Sequence, residues 1–396
     1  MKLLTIILLS LELSTKATNY YVSTTGDDGH PGTEAEPFLT IQHAADLVNA
    51  DDIVTIEDGT YTGGSAGGTF ISITRGGTSG HPVIFRARTK WGAVLDGQSS
   101  VGYCFSISNA ASNVHFINLE IKNYYYMGYI CNDGSYQSNY ITIQGNKIHD
   151  IGRYSTTSVY GLNAIYIRAL NHHWTINGNL IYNIGRTGPS TESFYRDHAV
   201  YTGTITNSKD AAHHNTITYN VIWGCSGVAF NMSSSYDLIA NNLIAWSSGN
   251  AEYYPPFIVT EGPVRNVTIA NNIFYEPPVT NAFAIYNLDS ITSVSVKNNI
   301  VYGGKMWQVQ NAATAATMQG DNFGQTDCEN AEVDPKFVNA IKANALNVDF
   351  KLQSGSPAIN AGLAVGLTSD YLGNPIMGIP DIGAYESQQR KLVKHD

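Results

Sequence analysis

The phrase Asn179-Leu-Ile-Tyr182 decides the fold, because phrases of the same kind recur along the middle of the chain. The asparagines that open the seven copies are Asn118, Asn146, Asn179, Asn220, Asn242, Asn272 and Asn299. A repeat of about 20 to 50 residues is typical of solenoid proteins. The phrases are rich in β-branched and aromatic residues, and glycine and asparagine bound them. They therefore predict strands and not helices.

The spacing of the copies predicts a parallel β-helix. The shortest interval, from Asn220 to Asn242, is 22 residues, and we take it as one minimal coil. A buried asparagine at the same turn of every coil can bond to the asparagines above and below it, which satisfies buried turn backbone. The alternative is an antiparallel sandwich in which these asparagines are ordinary turn residues. Antiparallel hairpins, however, do not need a fixed asparagine before every third strand.

The composition limits which partners and ligands the protein can have. Only 14% of the 396 residues are charged and the formal net charge is −10, which argues against nucleic acid as a partner. A polyanionic ligand would need a local cluster of arginine and lysine. The 25 tyrosines suit a sugar-binding cleft. The four cysteines match no metal-binding motif, and we expect small buried residues, with the disulfide state left open.

The N-terminus resembles a secretory signal. A lysine at position 2 precedes an apolar stretch from Leu3 to Leu13 and small residues up to Ala17. The stretch is too short to span a bilayer. We therefore expect a secreted or periplasmic protein with no membrane association, and a monomer. The expected divisions are a signal peptide (1–17), an N-terminal cap with the first coils (18–99), the repeats with a groove (100–305), and the last coils with a loop-rich tail (306–396).

A short helix should cap the open end of the solenoid. Ile41, Ala44, Ala45 and Val48 follow helical spacing. A helix there would cover strand edges that otherwise promote aggregation.

Three motifs resemble those of a known superfamily. They are Tyr20-Tyr-Val-Ser-Thr-Thr-Gly-Asp-Asp with the following Pro37-Phe-Leu-Thr-Ile-Gln-His-Ala44, Gly77-Thr-Ser-Gly-His-Pro-Val-Ile84 with Val94-Leu-Asp-Gly97, and Ser354-Gly-Ser-Pro-Ala-Ile-Asn-Ala-Gly362 with Asp381-Ile-Gly-Ala-Tyr-Glu386. They are similar to motifs of the secreted right-handed parallel β-helix proteins that include pectate lyases and related polysaccharide lyases. The resemblance implies an all-β, single-stranded, right-handed parallel β-helix. It implies less about chemistry, because the same fold also hosts hydrolases, epimerases and adhesins.

The Ca²⁺-dependent pectate lyases of this superfamily present an aspartate cluster and a catalytic lysine or arginine on the groove. The aspartate cluster has no counterpart on the strands predicted here, and no lysine falls on the proposed face. We expect no cofactor, with Ca²⁺ as the open alternative.

A second strand in each coil should line a groove. The predicted strands are Met127–Cys131, Asn163–Arg168, His198–Thr202, Gly227–Asn231, Phe257–Glu261 and Phe283–Asn287. Side chains alternate along a strand. One register places an outward column of Tyr166, Tyr201, Phe230, Val259 and Tyr286 beside Arg168 and Glu261. The opposite register would bury the tyrosines in the core.

The longest intervals between asparagines carry insertions just before two of these strands. Long loops on a rigid scaffold are where function concentrates. The insertions contribute Arg153, Arg186 and Arg196, a local basic cluster suited to a uronate polymer.

These residues suggest a β-elimination site. Arg168 and Arg196 would hold the C6 carboxylate, His198 would be the base, and Tyr201 or Tyr166 the acid. Asp197 would fix the histidine tautomer. The structural alternative is a His198 bonded to loop backbone, with Asp197 a simple loop acceptor.

The predicted function is cleavage of an acidic polysaccharide by β-elimination. Tyr195, Arg196, Asp197, Arg153, Arg186 and Glu261 are the expected substrate-binding residues. A glycoside hydrolase would instead need two carboxylates, which Glu261 with Asp197 or Glu252 would supply. A non-catalytic glycan-binding protein that uses the tyrosines alone is the third possibility.

Overall fold

The computed structural model describes residues 17–131, 137–154, 161–187, 196–203, 212–247, 256–259, 264–277, 281–285, 292–309, 333–342 and 347–388. The predicted signal peptide, Tyr195, Glu252, Glu261, Tyr286 and Cys328 lie outside these residues, apart from Ala17 at the predicted cleavage site. None of the helices in the described ranges is long and apolar enough to cross a membrane.

The described chain contains one α-helix, α1 (Ile41–Leu47), and strands numbered here in chain order. The first ten are β1 (Asn19–Val22), β2 (Ile53–Ile56), β3 (Gly59–Tyr61), β4 (Thr69–Ile73), β5 (Val83–Ala87), β6 (Ala93–Asp96), β7 (Tyr103–Ile107), β8 (Val114–Ile117), β9 (Glu120–Lys122) and β10 (Met127–Cys131). The next ten are β11 (Ile141–Gln144), β12 (Lys147–Ile151), β13 (Asn163–Ile167), β14 (Thr175–Asn177), β15 (Leu180–Ile184), β16 (His198–Thr202), β17 (Thr216–Thr218), β18 (Val221–Trp223), β19 (Phe230–Met232) and β20 (Leu238–Ala240). The last ten are β21 (Leu243–Ala245), β22 (Phe257–Val259), β23 (Arg265–Ala270), β24 (Ile273–Tyr275), β25 (Asn281–Ile285), β26 (Thr292–Lys297), β27 (Ile300–Tyr302), β28 (Lys305–Val309), β29 (Phe337–Asn339) and β30 (Asp349–Leu352).

Three parallel sheets run the length of the molecule, and every third strand returns to the same sheet. The ten-stranded sheet has the order β1-β2-β5-β8-β11-β14-β17-β20-β23-β26. The groove sheet has the order β4-β7-β10-β13-β16-β19-β22-β25-β28. The asparagine sheet has the order β3-β6-β9-β12-β15-β18-β21-β24-β27. This is the predicted all-β parallel β-helix, so the fold class is confirmed.

A ladder of buried asparagine amides joins successive coils between the ten-stranded sheet and the asparagine sheet. The backbone N–H and the Nδ2 of Asn179 both donate to Oδ1 of Asn220, at 3.0 and 2.9 Å. Asn179 Nδ2 also donates to the carbonyl of Ile143 in the preceding coil, at 2.8 Å. The same pattern continues through Asn146, Asn220, Asn242 and Asn272 to Asn299. The ladder therefore satisfies polar groups that are fully buried.

The prediction was wrong for Asn118, which lies one residue before the ladder position. Its backbone is left-handed, with φ of 61°. Leu119 occupies the ladder position in that coil, and its N–H donates to Asn146 Oδ1 at 2.8 Å. Gly145, with φ of 67°, holds the corresponding left-handed position in the next coil. Asparagine tolerates this conformation, so the residue type alone does not distinguish the two positions.

The cap follows the sequence prediction. Thr40 is the N-cap of α1, and its side chain accepts the N–H of His43. The helix buries Ile41, Ala44 and Ala45 and packs mainly against β4. It therefore covers the apolar end of the first coils.

The C-terminal segment packs on the asparagine sheet. Phe350 lies 5.6 Å from Trp246, measured between ring centroids, and Phe337 lies 5.1 Å from Tyr275. Asn241 Nδ2 donates to the carbonyl of Asp381 at 3.0 Å. Among the described cysteines, Cys104, Cys131 and Cys225 are buried thiols without a disulfide.

The second strand of each coil lies in the groove sheet, as predicted, and the predicted bounds of Met127–Cys131 and His198–Thr202 agree with β10 and β16. The predicted outward position of Phe230 was wrong. The register pairs Phe230 with Val200 and Asn231 with Tyr201, and Phe230 is fully buried. In the backbone register Val259 pairs with Met232 rather than with Asn231. A shift of one residue moves a side chain to the other face of a strand.

We predict that Asn220→Ala destabilises the coil stack by about 2–4 kcal/mol, because it removes one acceptor and leaves the buried donors of Asn179 unpaired. Denaturant unfolding followed by circular dichroism measures the loss. Gln144→Ala, at an exposed position of β11, is the control and should change stability by less than about 0.5 kcal/mol. Equal losses in the two variants would contradict a structural role for the ladder.

Candidate active-site groove

The groove is a cavity of about 690 Å³ on the outer side of the groove sheet. Its lining residues are Tyr103, Tyr126, Met127, Ile130, Gly161, Asn163, Tyr166, Arg168, Arg196, His198, Tyr201 and Asn231. They come from β7, β10, β13, β16 and β19 and from the segments that join these strands to their neighbours. The cavity thus follows the direction of coil stacking.

Aromatic side chains form one wall of the groove. Tyr166 and Tyr201 are in register on β13 and β16, and their rings stack at 4.7 Å with an angle of 9°. The Arg168 guanidinium lies 5.7 Å from the centre of the Tyr166 ring. Flat aromatic faces beside a cation suit a sugar ring that carries a negative charge.

His198 is held as a neutral imidazole. It is only 3% exposed, and its Nδ1 donates to the carbonyl of Val228 at 3.0 Å. This bond leaves the lone pair on Nε2, which lies 3.5 Å from Nδ2 of Asn231. Burial lowers the pKa of His198 to about 4. The imidazole is therefore unprotonated at neutral pH and presents an acceptor on the groove side.

Asp197 does not orient His198, so that part of the predicted site was wrong. The Asp197 carboxylate is fully buried and faces away from the imidazole, accepting the N–H groups of Leu162 and Arg186 at 3.1 and 3.0 Å. It also forms an ion pair of 3.1 Å with the Arg186 guanidinium, which is 4% exposed. Burial raises the pKa of Asp197 to about 6, although these partners oppose the shift.

A glycine allows this close packing. Gly185 has φ of 91°, and a Cβ there would lie 2.0 Å from Ser226 Oγ and 2.5 Å from Asp197 Cβ. The segment before β16 is thus anchored from inside by Asp197, and the next residue, His198, enters the groove.

The predicted basic cluster divides into two groups. Arg168 and Arg196 line the groove, and Arg196 is exposed. Arg186 is buried against Asp197, and Arg153 donates to the carbonyl of Gly185 at 3.1 Å. Burial lowers the pKa of Arg153. The described lining of the cavity includes neither Arg153 nor Arg186, and their predicted role in substrate binding stays a prediction.

Two asparagines of the groove were missed in the sequence. Asn163 is the register partner of His198 and is 1% exposed, and its Oδ1 has no hydrogen-bond partner. Asn231 pairs in register with Tyr201. Both residues lie on strands that the sequence predicted. Asparagine is also common in the turns of this chain, so its residue type alone did not indicate a position in the groove.

The described lining residues include no aspartate or glutamate. Ca²⁺ sites are built mostly from carboxylate oxygens. The amide oxygens of Asn163 and Asn231 alone do not fit such a site. The positive charge in the described groove comes from guanidinium groups and not from a metal ion site.

Comparison with known proteins agrees with this fold. A family described as "Pel9A-like, right handed beta helix region" matches residues 20–188. The crystal structure of pectate lyase Pel9A is 16% identical, with a TM-score of 0.62 over 94% of this chain and 97% of that one. An alginate lyase from Paenibacillus sp. str. FPU-7 is 15% identical, with a TM-score of 0.59 over 77% of this chain and 95% of its own.

Two curated relatives match parts of the chain. Pectate lyase PEL9 of Emericella nidulans is 35% identical over 86 residues, which are 22% of this chain and 20% of the relative. The uncharacterized protein YwoF of Bacillus subtilis is 27% identical over 169 residues, which are 42% of this chain and 29% of the relative. The chain therefore matches less than a third of the length of either protein.

We predict that Arg186→Met and Asp197→Asn each lower the free energy of unfolding by about 3 kcal/mol, because each leaves the other partner buried without its counter-charge. A double-mutant cycle by denaturant unfolding should show coupling of at least about 1 kcal/mol. The exposed pair Lys351 and Asp349 is the control, and Lys351→Met should cost less than about 1 kcal/mol. A stable Arg186→Met variant would contradict the anchoring role.

Proposed function

We propose that this protein, which has the right-handed β-helix fold of the pectate-lyase-like superfamily, cleaves a uronate-containing polysaccharide by β-elimination. One observation carries the proposal. The described part of the groove presents two guanidinium groups, a neutral imidazole and two stacked tyrosines, and no carboxylate. This set matches the needs of elimination from an acidic sugar.

The first requirement is neutralisation of the sugar carboxylate. Arg168 and Arg196 line the groove from opposite ends of the adjoining strands β13 and β16, and each guanidinium group can bind a carboxylate through two parallel hydrogen bonds. Charge builds up on the carboxylate as the neighbouring C5 loses its proton. A guanidinium group fixed at this carboxylate stabilises the transition state more than the ground state.

The second requirement is a base. In the proposed reaction His198 Nε2 takes the C5 proton, since its lone pair faces the groove while Nδ1 is bonded to Val228. The electron pair of the broken C5–H bond forms the C4–C5 double bond, and the C4–O bond to the next sugar breaks. The departing oxygen receives a proton from the hydroxyl of Tyr201 or Tyr166. The tyrosinate then recovers a proton from His198 or from water, which restores the site.

Hydrolysis has weaker support. A glycoside hydrolase needs two carboxylates about 5–9 Å apart across the scissile bond. The only predicted groove carboxylate among the described residues, Asp197, is buried in its ion pair. The groove as described therefore favours elimination.

The cellular setting is part of the same proposal. Pectate, alginate and rhamnogalacturonan lyases are similar in fold to this chain, with the last at a TM-score of 0.53. A polymeric uronate lies outside the cytosol, and the sequence begins with a predicted secretory signal over 1–17. We propose a secreted monomer acting on an extracellular polymer.

We predict that the purified protein releases unsaturated uronates from at least one acidic polymer among alginate, pectate, glucuronan and glycosaminoglycans. The conjugated double bond of the product is followed by ultraviolet absorbance, and EDTA should leave the rate unchanged. Arg168→Ala should lower kcat/KM by about 100-fold or more, because it removes charge stabilisation in the transition state.

Arg86→Ala is the matched control, since Arg86 is an exposed arginine on β5 of the ten-stranded sheet. It should leave the rate unchanged. Folding of each variant is checked by circular dichroism. Release of reducing ends without new absorbance would indicate hydrolysis, and binding without any product would indicate a glycan-binding protein. Either result overturns the proposal.

We predict an acidic limb near pH 4 in the pH profile of kcat/KM. The working form of His198 is neutral, and its pKa is lowered to about 4 by burial. Activity is therefore retained as the pH falls from 7 to 5 and is lost as the pH passes through 4. His198→Gln should lower activity and remove this limb from the residual rate. A limb near the ordinary histidine pKa of about 6.5 would assign the base to a different, exposed group.

A further inference from the structure

Two histidine pairs lie on the turn between the groove sheet and the ten-stranded sheet. Trp174 alone separates His172-His173 from β14, and in the next coil Asn215 alone separates His213-His214 from β17. The chain register pairs His172 with His213. The four rings therefore form a compact group on the surface, outside the groove.

The geometry within each pair is that of a shared proton. The two Nδ1 atoms of His172 and His173 are 2.7 Å apart, and so are those of His213 and His214. A hydrogen bond of this kind needs one N–H and one lone pair. At least one ring of each pair is therefore a neutral imidazole, which is the form that binds metal ions, and a metal ion held by both His172 and His173 would replace the hydrogen bond between them.

Stacking on tyrosine rings explains the presence of only two of the four histidines. His173 and His214 continue a stack that includes Tyr140 and Tyr236. The backbone at these positions is left-handed, with φ of 57° to 59°. In the described chain no tyrosine stacks on the other column, and Tyr140 meets His172 edge-on at 5.8 Å. His172 and His213 stack on each other at 4.7 Å, but Ser235 follows them in the register. The scaffold therefore accepts a small polar residue where His172 and His213 stand.

The nitrogens of three of these rings converge. One ring nitrogen from each of His172, His173 and His213 lies within 4.8 Å of the other two. A tetrahedral ion with metal–nitrogen bonds of about 2.1 Å needs nitrogens roughly 3.4 Å apart. The three rings are partly exposed, so small side-chain rotations close the difference.

We propose that His172, His173 and His213 bind one divalent transition-metal ion of the zinc class. Imidazole nitrogen suits Zn²⁺, Ni²⁺ and Cu²⁺, whereas Ca²⁺ and Mg²⁺ prefer oxygen. The three rings leave a fourth position for water. His214, whose Nδ1 is 2.7 Å from that of His213, orients the His213 ring.

The ion would join two neighbouring coils. His172 follows Arg168 by four residues on the turn that leaves β13, and His213 lies on the corresponding turn after β16. A metal bond between these turns stabilises the two coils that carry Tyr166 and Tyr201. It takes no part in the proposed elimination.

The test is direct metal binding by the full chain produced without a histidine tag. Zn²⁺ is titrated calorimetrically, and Co²⁺ is followed by its visible absorption. We expect one ion per chain and a rise of about 3 °C in the thermal midpoint at a hundredfold excess of Zn²⁺ over Kd.

His172→Asn/His213→Asn should weaken binding at least a hundredfold and reduce the thermal shift at the same Zn²⁺ concentration to less than about 1 °C. Asparagine and serine neighbours in this column indicate that the double variant folds. His30→Asn/His81→Asn changes two exposed histidines elsewhere and should bind as the wild type does. Equal binding by the two double variants, or no stoichiometric binding by the wild type, overturns the proposal. These measurements do not involve turnover, so the metal-site proposal can fail or succeed independently of the proposed lyase reaction.

Discussion

The structure depends on the pairing of buried asparagine amides from coil to coil. An unpaired amide in a dry interior costs about 1–3 kcal/mol, so each buried donor needs its acceptor in the next coil. Asn179 meets this need with Asn220 on one side and with a carbonyl of the preceding coil on the other. A coil that slipped by one residue would break several such bonds together. The ladder thus fixes the register of the asparagine sheet and of the ten-stranded sheet, because only two residues separate β14 from β15 at this turn. In the groove sheet, the pairing of β13 with β16 places Tyr166 beside Tyr201, and their rings stack.

The segment before β16 keeps the charges buried in the groove wall apart from the charges that face the cavity. Asp197 and Arg186 neutralise each other inside the wall, while the adjacent Arg196 and His198 line the cavity. Burying a single charge without its partner would cost several kcal/mol. The pair therefore permits a polar anchor below the groove that contributes no charge to it. The result is a cavity whose described lining is cationic, although the protein as a whole carries a net charge of −10.

Periodic features of the fold were predictable from the sequence, and single-residue positions were not. The strands β10 and β16 and the helix α1 follow from apolar spacing, because burial of one face imposes that spacing. Asn118 and Phe230 were each misplaced because alternation of residue types does not reveal which of two neighbours faces inward. Arg186 was assigned to the groove because its loop is long. Its burial depends on a contact with Asp197 that only the folded chain creates. Asn163 was overlooked for a related reason, since a neutral amide becomes distinctive only once its unpaired oxygen is seen beside His198.

The contrast between global and local charge bears on how a polyanion would be recognised. At physiological ionic strength charges are screened over about 8 Å, so carboxylates on remote coils act weakly on a ligand in the groove. At contact, Arg168 and Arg196 are the nearest charges of the described lining. The acidic surface gives no long-range attraction to a polyanion, because electrostatic steering requires a field of opposite sign. Selectivity must then arise within the groove, where a sugar has to stack on the tyrosines and present its carboxylate to a guanidinium group at the same time. A neutral sugar satisfies only the first condition, and an isolated anion only the second. Their combination favours uronate units within a polymer.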